Sequence, residues 1–186
     1  RQTAWATRLI RNAATDRKIR HIFVFLHHSP YASGVHGENE DIQVSGLVKT
    51  MAESGVDMTF AGHDHVYERG ANEGLRYVVS GGCGAPLYPR RRVHNYTHWF
   101  ESTAHYVRVN VDGDEVEVTA LRPDGSIIDN FRYAKKFDGE TDDRPRRKPR
   151  FVTLKDSHPR PLPPPMAAPP TLGIGAPQAE RRMAVS

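Results

Sequence analysis

Cysteine is almost absent from this chain, because among its 186 residues only Cys83 carries a thiol. A lone cysteine excludes an intramolecular disulfide framework and leaves the compartment of the protein open. Long apolar runs are absent too, and no stretch approaches the roughly 20 apolar residues of a membrane-spanning helix. No signal peptide is visible, although the sequence opens without an initiator methionine and already inside a helical pattern. We therefore expect no membrane span and a start within a longer protein.

Positive charge is concentrated at one end of the chain. Residues 134–186 carry 11 Lys/Arg against 6 Asp/Glu and hold ten of the fourteen prolines, with few aromatic side chains. Residues 1–133 are close to neutral, so the basic pI does not predict a globular domain that binds nucleic acid. We predict that residues 134–186 form a disordered Pro/Arg-rich tail, which is free to bind a partner, and that residues 1–133 form the folded domain.

Two segments of the first 133 residues have the periodicity of amphipathic helices. In residues 3–14 the apolar stripe consists of Trp5, Leu9 and Ile10. Residues 41–54 predict a second helix, which begins at Asp41 as N-cap and ends at Gly55. Its buried stripe would consist of Ile42, Val44, Leu47, Val48 and Met51.

Strands surround the second helix and dominate the chain after it. "HIFVFL" (21–26) and "VDMTFA" (56–61) are short apolar runs of the kind buried in a parallel sheet. Strand, helix and strand in this order favour a right-handed crossover. Further strands, separated by turn signals, are predicted at 75–82, 104–111, 115–122 and 126–133. The sequence therefore predicts an α/β fold with a parallel part and an antiparallel part.

Histidines follow both predicted parallel strands. His27 and His28 come directly after the first strand, and His63 and His65 follow the second, just beyond the flexible Gly62. Because the carboxyl ends of parallel strands meet at one edge of a sheet, we expect these side chains to lie close together. In extended chain the Cα atoms of His63 and His65 would be roughly 6.6 Å apart. That separation suits two metal ions about 3.5 to 4 Å apart, so the pattern predicts a metal centre.

Other residues near these motifs have more than one interpretation. Alternation points His28 away from His27, which favours packing or support of the ligands over ligation, and contact with the substrate is a further role. His36 by itself is typical of an exposed loop. The loop "PRRRVHNYTHW" (89–99) would place Arg91 over an anionic substrate, or would simply be an exposed charged loop. The segment 67–69 is predicted to pack or form ion pairs behind the histidines.

The ordered set of motifs resembles a known family. "VFLH" (24–27), "HHSPYASGVHG" (27–37) and "GHDHVYER" (62–69) resemble the last two motifs of the calcineurin-like metallophosphoesterases. They are most similar to the purple-acid-phosphatase-like branch, and "YVVSGGCGAPLY" (77–88) resembles the Gly-rich segment of that branch. The resemblance covers roughly residues 1–133. It implies the C-terminal half of a layered α/β/β/α sandwich.

The resemblance also implies a role for each histidine. It assigns His27 and His63 to one metal ion and His65 to the neighbouring ion, and the Val-x-x-His spacing selects His27 over His28. His36 matches the family histidine that is not a ligand, which contacts the phosphoryl group and protonates the leaving oxygen. The implied cofactors are two divalent or trivalent ions, Fe, Zn or Mn.

The implied activity is metal-dependent hydrolysis of phosphate esters, with monoesters favoured over diesters. In the family, three further motifs, Asp-x-His, Gly-Asp and Asn-His, precede the two motifs found here. This chain contains none of them ahead of those two motifs, so we expect the isolated chain to be inactive. An extracytoplasmic or secreted location would also follow from the resemblance. Two alternatives stay open: a metal-binding or interaction module without catalysis, and a degenerate, structural phosphoesterase-like protein whose tail binds partners.

Overall fold

The computed structural model describes residues 1–137 and 148–154 of the chain. The helices are α1 (Gln2–Thr15), α2 (Glu40–Val44) and α3 (Leu47–Glu53). The strands are β1 (Phe23–Leu26), β2 (Met58–Ala61), β3 (Tyr67–Asn72), β4 (Leu75–Ser80), β5 (Thr97–Glu101), β6 (Tyr106–Asp112), β7 (Glu115–Leu121), β8 (Ile127–Lys136) and β9 (Arg150–Thr153).

The first sheet has five strands in the order β1-β2-β4-β3-β5. Strands β1, β2 and β4 are parallel, and β3 runs antiparallel between β4 and β5. A two-residue turn joins β3 to β4, and both of its residues, Glu73 and Gly74, have positive φ angles, as tight hairpins require. The sequence patterns did not predict β3 or β5, because neither strand alternates cleanly between apolar and polar side chains.

The second sheet contains β6-β7-β8-β9, all antiparallel. One apolar core lies between the helices and the first sheet and includes Ile10, Val48 and Met51. A second core, which includes Met58 and Val118, lies between the two sheets. The layers are therefore helices, sheet and sheet, which is the mixed α/β architecture predicted from the sequence. Among residues 1–137 and 148–154 no helix covers the outer face of the second sheet.

The helix predicted over residues 41–54 is two short helices. Gly46 separates them with a φ of 78°, a left-handed conformation that glycine adopts without strain. Asn39 caps α2 in place of the predicted Asp41, since its side chain accepts a hydrogen bond from the backbone N–H of Ile42. The break also takes Val44 off the predicted buried stripe, and its side chain is 83% exposed.

Helix α1 agrees with its predicted span but buries less of its stripe than expected. Ile10 is buried, whereas Trp5 and Leu9 are both exposed. Along the part of the chain that the structure describes, no helix is long and apolar enough to cross a membrane.

The end of the fold also differs from the prediction that the domain stops at Tyr133. Strand β8 continues to Lys136, and Arg150–Thr153 pair with it as β9. The ring of Phe151 lies 5.8 Å from the ring of Tyr133, so this segment adds apolar contact as well as backbone hydrogen bonds. These strand residues are therefore not part of a disordered tail. The rest of that prediction concerns residues 138–147 and 155–186, which lie outside the described residues.

Candidate metal centre

Strands β1 and β2 end side by side at one edge of the first sheet. Leu26 pairs with Ala61 at the last position of both strands, so the chains leave the sheet at the same level. Just beyond, the N–H of Gly62 donates a hydrogen bond to the carbonyl of His27. His27 and His28 after β1 are consequently brought close to His63 after β2. His65, which was expected beside them, lies outside this group.

Three imidazoles form a compact group at this edge. One ligand atom from each of His27, His28 and His63 lies within 4.8 Å of the others. The Nε2 atom of His27 and the Nδ1 atom of His63 are 3.1 Å apart. Two nitrogens bonded to one tetrahedral ion at about 2.05 Å would be roughly 3.3 Å apart. The spacing of His27 and His63 therefore suits a single borderline metal ion such as Zn²⁺, and a nitrogen of His28 lies within 4.8 Å of both.

His28 belongs to this group although strand alternation pointed it away from His27. Its ring lies 4.9 Å from the ring of His27 and 4.1 Å from the ring of His63. The reason is that β1 ends at Leu26, so the two-residue period of a strand no longer governs the side chains beyond it.

The backbone of His63 has an uncommon conformation. Its φ of 59° is in the left-handed region, which non-glycine residues rarely adopt and which concentrates at functional sites. The left-handed conformation thus falls on His63, and not on the flexible Gly62 before it. This conformation starts the bend that carries the chain from β2 towards His65.

His36 reaches the same cluster from the loop between β1 and α2. Its exposed ring lies 4.0 Å from the ring of His63 and 5.4 Å from the ring of Tyr88. An exposed imidazole beside the three-histidine group is placed to meet a bound molecule. The sequence alone made His36 an ordinary loop residue, and the loop conformation brings it to the site.

His65 lies outside the group of three. Its Nδ1 atom is 2.7 Å from the carbonyl oxygen of Pro86, and its ring stacks on Tyr88 at 4.3 Å. A carbonyl only accepts, so Nδ1 carries the proton, and in the neutral imidazole Nε2 keeps a free lone pair. Such a hydrogen bond is typical of histidines that bind metals through the other nitrogen. Tyr88 links His65 to His36, because its ring contacts both.

The electrostatics around His63 favour its neutral imidazole. Burial lowers the pKa of His63, and the neighbouring rings of His36, His28 and His27 lower it further. The neutral form is the one that binds a metal ion, so the lowered pKa favours ligation by His63.

Arg91 lies in a loop that docks on the His36 loop. The backbone N–H groups of Arg91 and Arg92 both donate to the carbonyl of Ser33. The side chain of Arg91 is exposed, while Arg92 donates to the carbonyl of Gly34. The structure therefore puts the basic loop beside the candidate site.

Two buried carboxylates at the site bond to the loop that carries His36. Asp64 accepts hydrogen bonds from the backbone N–H groups of His36 and Gly37. Glu68 accepts from the N–H and hydroxyl of Ser33, which begins the same loop. The sequence pattern carried no signal for these contacts, since both acids lie far from the loop along the chain.

Comparison with known proteins gives a fold-level similarity. No protein-family model matches the chain, and no curated protein sequence matches it. A solved structure described as GAP50, the anchor in the inner membrane complex of Plasmodium, is similar with a TM-score of 0.60 and 17% identity, over 69% of this chain and 41% of that one. Purple acid phosphatase PPD1 from yellow lupin (Lupinus luteus) seeds is similar with a TM-score of 0.60 and 21% identity, over 70% of this chain and 28% of that one.

These similarities concern the fold, because both identities are low. The chain spans less than half of the length of either protein. Together with the two-sheet architecture, the likeness to a purple acid phosphatase indicates that the two proteins share a fold over the matched part.

Proposed function

We propose that the intact protein hydrolyses phosphate esters at a metal centre to which these histidines contribute. The observation that carries the proposal is the group of His27, His28 and His63, with the ring of His36 4.0 Å from that of His63. The motifs resemble those of metallophosphoesterases, and the fold is similar to that of a purple acid phosphatase. We favour monoesters as substrates, because the motifs are most similar to the acid-phosphatase branch.

The proposed ligands divide between two ions of Fe, Zn or Mn. His27 and His63 would hold one ion, and the distances support His28 as a third imidazole there. His65 would bind the neighbouring ion through Nε2, since its Nδ1 is hydrogen-bonded to a carbonyl. The ions would supply an activated water and stabilise negative charge on the phosphoryl oxygens.

His36 and Arg91 would act on the substrate itself. The ring of His36 is exposed at the edge of the cluster, where it can donate a proton to the leaving oxygen. The exposed guanidinium of Arg91, in the loop beside it, would contact an anionic part of the substrate.

The isolated chain is expected to be inactive, because the three-histidine group contains no carboxylate. Hard or borderline ions in a two-metal site need oxygen donors and a bridging group. β1 is an edge strand, and its Phe25 is 76% exposed. A cavity of about 650 Å³ beside it extends to His27 and His28. A further part of the intact protein, covering this apolar face, would bring the missing carboxylates.

A structural role is the second candidate. The similar GAP50 structure is described as an anchor in a membrane complex, so this fold also occurs in a protein with that description. A group made only of imidazoles also suits a metal-binding module that lacks catalysis. Activity of the intact protein separates these alternatives from the main proposal.

Titration of the chain with Zn²⁺, followed by calorimetry, tests the ligand assignment. We expect His27→Ala and His63→Ala to weaken Zn²⁺ binding by more than about tenfold, since removing even a residue that supports a ligand costs about 10- to 100-fold. His98→Ala is the control, because His98 contacts Arg69 away from the cluster. Equal affinity in wild type and both ligand variants would contradict the metal centre.

The catalytic proposal is tested in the intact protein with aryl phosphates. His36→Ala should keep the metal content and lower the rate roughly 10²- to 10⁴-fold, the usual contribution of a general acid. The loss should be smaller for nitrophenolate, a leaving group that barely needs a proton. An equal loss for good and poor leaving groups would exclude the general-acid role. Turnover by the isolated chain at about 1 to 10³ per second would contradict the proposed incompleteness.

A further inference from the structure

Asp64 lies between two proposed ligands in the His63-Asp64-His65 segment, yet it is turned away from ligation. Its side chain is buried, with 2% of the residue exposed. One carboxylate oxygen accepts the N–H of His36 at 3.0 Å, and the other accepts the N–H of Gly37 at 3.2 Å. Both oxygens are therefore engaged by the backbone of the loop that carries His36.

Gly34 makes this close approach possible. A Cβ atom at position 34 would lie 2.4 Å from the Cγ atom of Asp64 and within 2.7 Å of both carboxylate oxygens. Gly81 allows a close approach on another side, since a Cβ atom at position 81 would lie 2.3 Å from the carbonyl oxygen of Asp64. Two glycines, Gly34 and Gly81, thus pack closely against Asp64.

A second carboxylate holds the start of the same loop. Glu68 is fully buried and accepts the N–H of Ser33 at 2.6 Å and its hydroxyl at 2.8 Å. Tyr77 and Thr97 also donate to Glu68, which fixes it to the first sheet. The loop from Ser33 to Gly37 is consequently held at both ends by acids that follow β2.

We propose that Asp64 is a positioning residue, which holds the ring of His36 against that of His63 and does not bind metal. Hydrogen bonds from N–H groups to a carboxylate are stronger than those to neutral acceptors, and in a buried site they fix the backbone. We call the two hydrogen bonds that Asp64 accepts from His36 and Gly37 the clamp. The clamp couples the position of His36 to the His63-Asp64-His65 segment. The catalytic role of His36 in this inference rests on the proposed function. The position in which Asp64 holds His36 does not depend on that function.

The clamp is tested by hydrogen exchange, followed by NMR, in the full 186-residue chain without metal. Asp64→Ala should speed exchange of the His36 and Gly37 amides by roughly tenfold or more, the effect of losing a charge-assisted bond. The amide of Val78 in β4 should not change, which separates a local effect from global unfolding. Asp41→Ala is the control, because Asp41 is an exposed acid on the neighbouring helix. Unchanged exchange at His36 and Gly37 would overturn the proposal.

A double-mutant cycle makes the test specific. Gly34→Ala should disturb the same two amides in the wild-type background, because the new methyl group meets the carboxylate of Asp64. In the Asp64→Ala background the clashing atoms are gone, so Gly34→Ala should have little further effect. Additive effects would show that the carboxylate is not seated against this glycine. Asp64→Asn keeps one acceptor oxygen, so it should give an intermediate result and provides a milder variant if Asp64→Ala does not fold.

Zn²⁺ titration separates positioning from ligation. The proposal expects Asp64→Asn to bind Zn²⁺ within about threefold of wild type, whereas His63→Ala weakens binding by more than about tenfold. Loss of Zn²⁺ binding in folded Asp64→Asn would make Asp64 a ligand and overturn the proposal. If wild type itself binds no Zn²⁺, the histidine ligand assignment in the proposed function fails for this chain, while the exchange data still decide the clamp.

Discussion

Asp57 offers a sharp test of how the two sheets are held together. It is fully buried directly before β2, and its carboxylate accepts four hydrogen bonds. The donors are the Nδ1 atom of His21 at 2.9 Å, the N–H of Ile22 at 2.7 Å, the Nζ atom of Lys135 at 2.7 Å and the hydroxyl of Tyr133 at 3.3 Å. Because the last two belong to β8, this one carboxylate ties the first sheet to the second.

The geometry around His21 requires a charged imidazole. Its Nδ1 atom contacts Asp57, and its Nε2 atom is 2.8 Å from the carbonyl oxygen of Gly113. Both partners are acceptors, so both ring nitrogens donate. Burial lowers the pKa of His21, but the hydrogen bonds to Asp57 and Gly113 outweigh it and leave the pKa raised. Burial raises the pKa of Asp57, but the hydrogen bond from His21 and the charge of Lys135 leave it lowered.

The perturbation is Asp57→Asn, which removes the negative charge and leaves two cations around the position. Breaking a buried ion pair by removing one partner costs about 3–5 kcal/mol of unfolding free energy. For a domain of this size, each kcal/mol lowers Tm by about 2–4 °C, so we expect a loss of roughly 6–20 °C. The control is Glu53→Gln, which breaks the exposed ion pair with Lys49 and should cost less than about 0.5 kcal/mol.

The pH dependence gives a second signature. A raised pKa means that the contribution of His21 is complete below its ordinary value of about 6.5 and is lost as the pH rises through the folded pKa. A lowered pKa means that the contribution of Asp57 is complete above about 3.9 and is lost as the pH falls through the folded pKa. The difference between wild type and Asp57→Asn should therefore be largest between about pH 4 and 6.5 and should narrow above the folded pKa of His21.

Urea unfolding followed by circular dichroism at several pH values measures both effects. Equal losses for Asp57→Asn and Glu53→Gln would refute the reasoning, as would a difference between wild type and Asp57→Asn that does not vary with pH. In the first case the buried cluster would contribute no more than a surface pair. In the second, His21 would be neutral in the folded protein.

Two further predictions concern the extent of the fold and a close contact in the first sheet. A chain that ends at Tyr133 should unfold at lower urea than one that ends at Leu154, since it lacks both β9 and Lys135, whose ammonium bonds to Asp57; equal midpoints would show that β9 adds no stability. Gly70→Ala should cost about 1–3 kcal/mol or more in the same assay, because the new Cβ would lie 2.4 Å from the carbonyl oxygen of Tyr96; a neutral result would mean that β5 moves away without cost.

The sequence by itself determined the elements whose patterns are local. The apolar runs at β1 and β2 predicted buried parallel strands, and the order of strand, helix and strand placed His27 and His63 at one edge. Alternation and turn signals located β4 and the hairpins from β6 to β8. These features depend on side-chain periodicity and on the connection rules of sheets, and both are visible in the order of residues.

Only the tertiary structure decided the contacts that join distant segments. β9 depends on its partner β8. β3 has a weak local pattern, but it pairs with β4 on one side and with β5 on the other. His28 joins the histidine group because β1 stops at Leu26. The sequence pattern locates the end of a strand only to within one or two residues, so it could not show this. Asp64 holds the loop of His36, which lies 28 positions away along the chain. A hydrogen bond between such positions leaves no periodic trace in a single sequence, since it needs only a carboxylate at one place and a backbone N–H at the other.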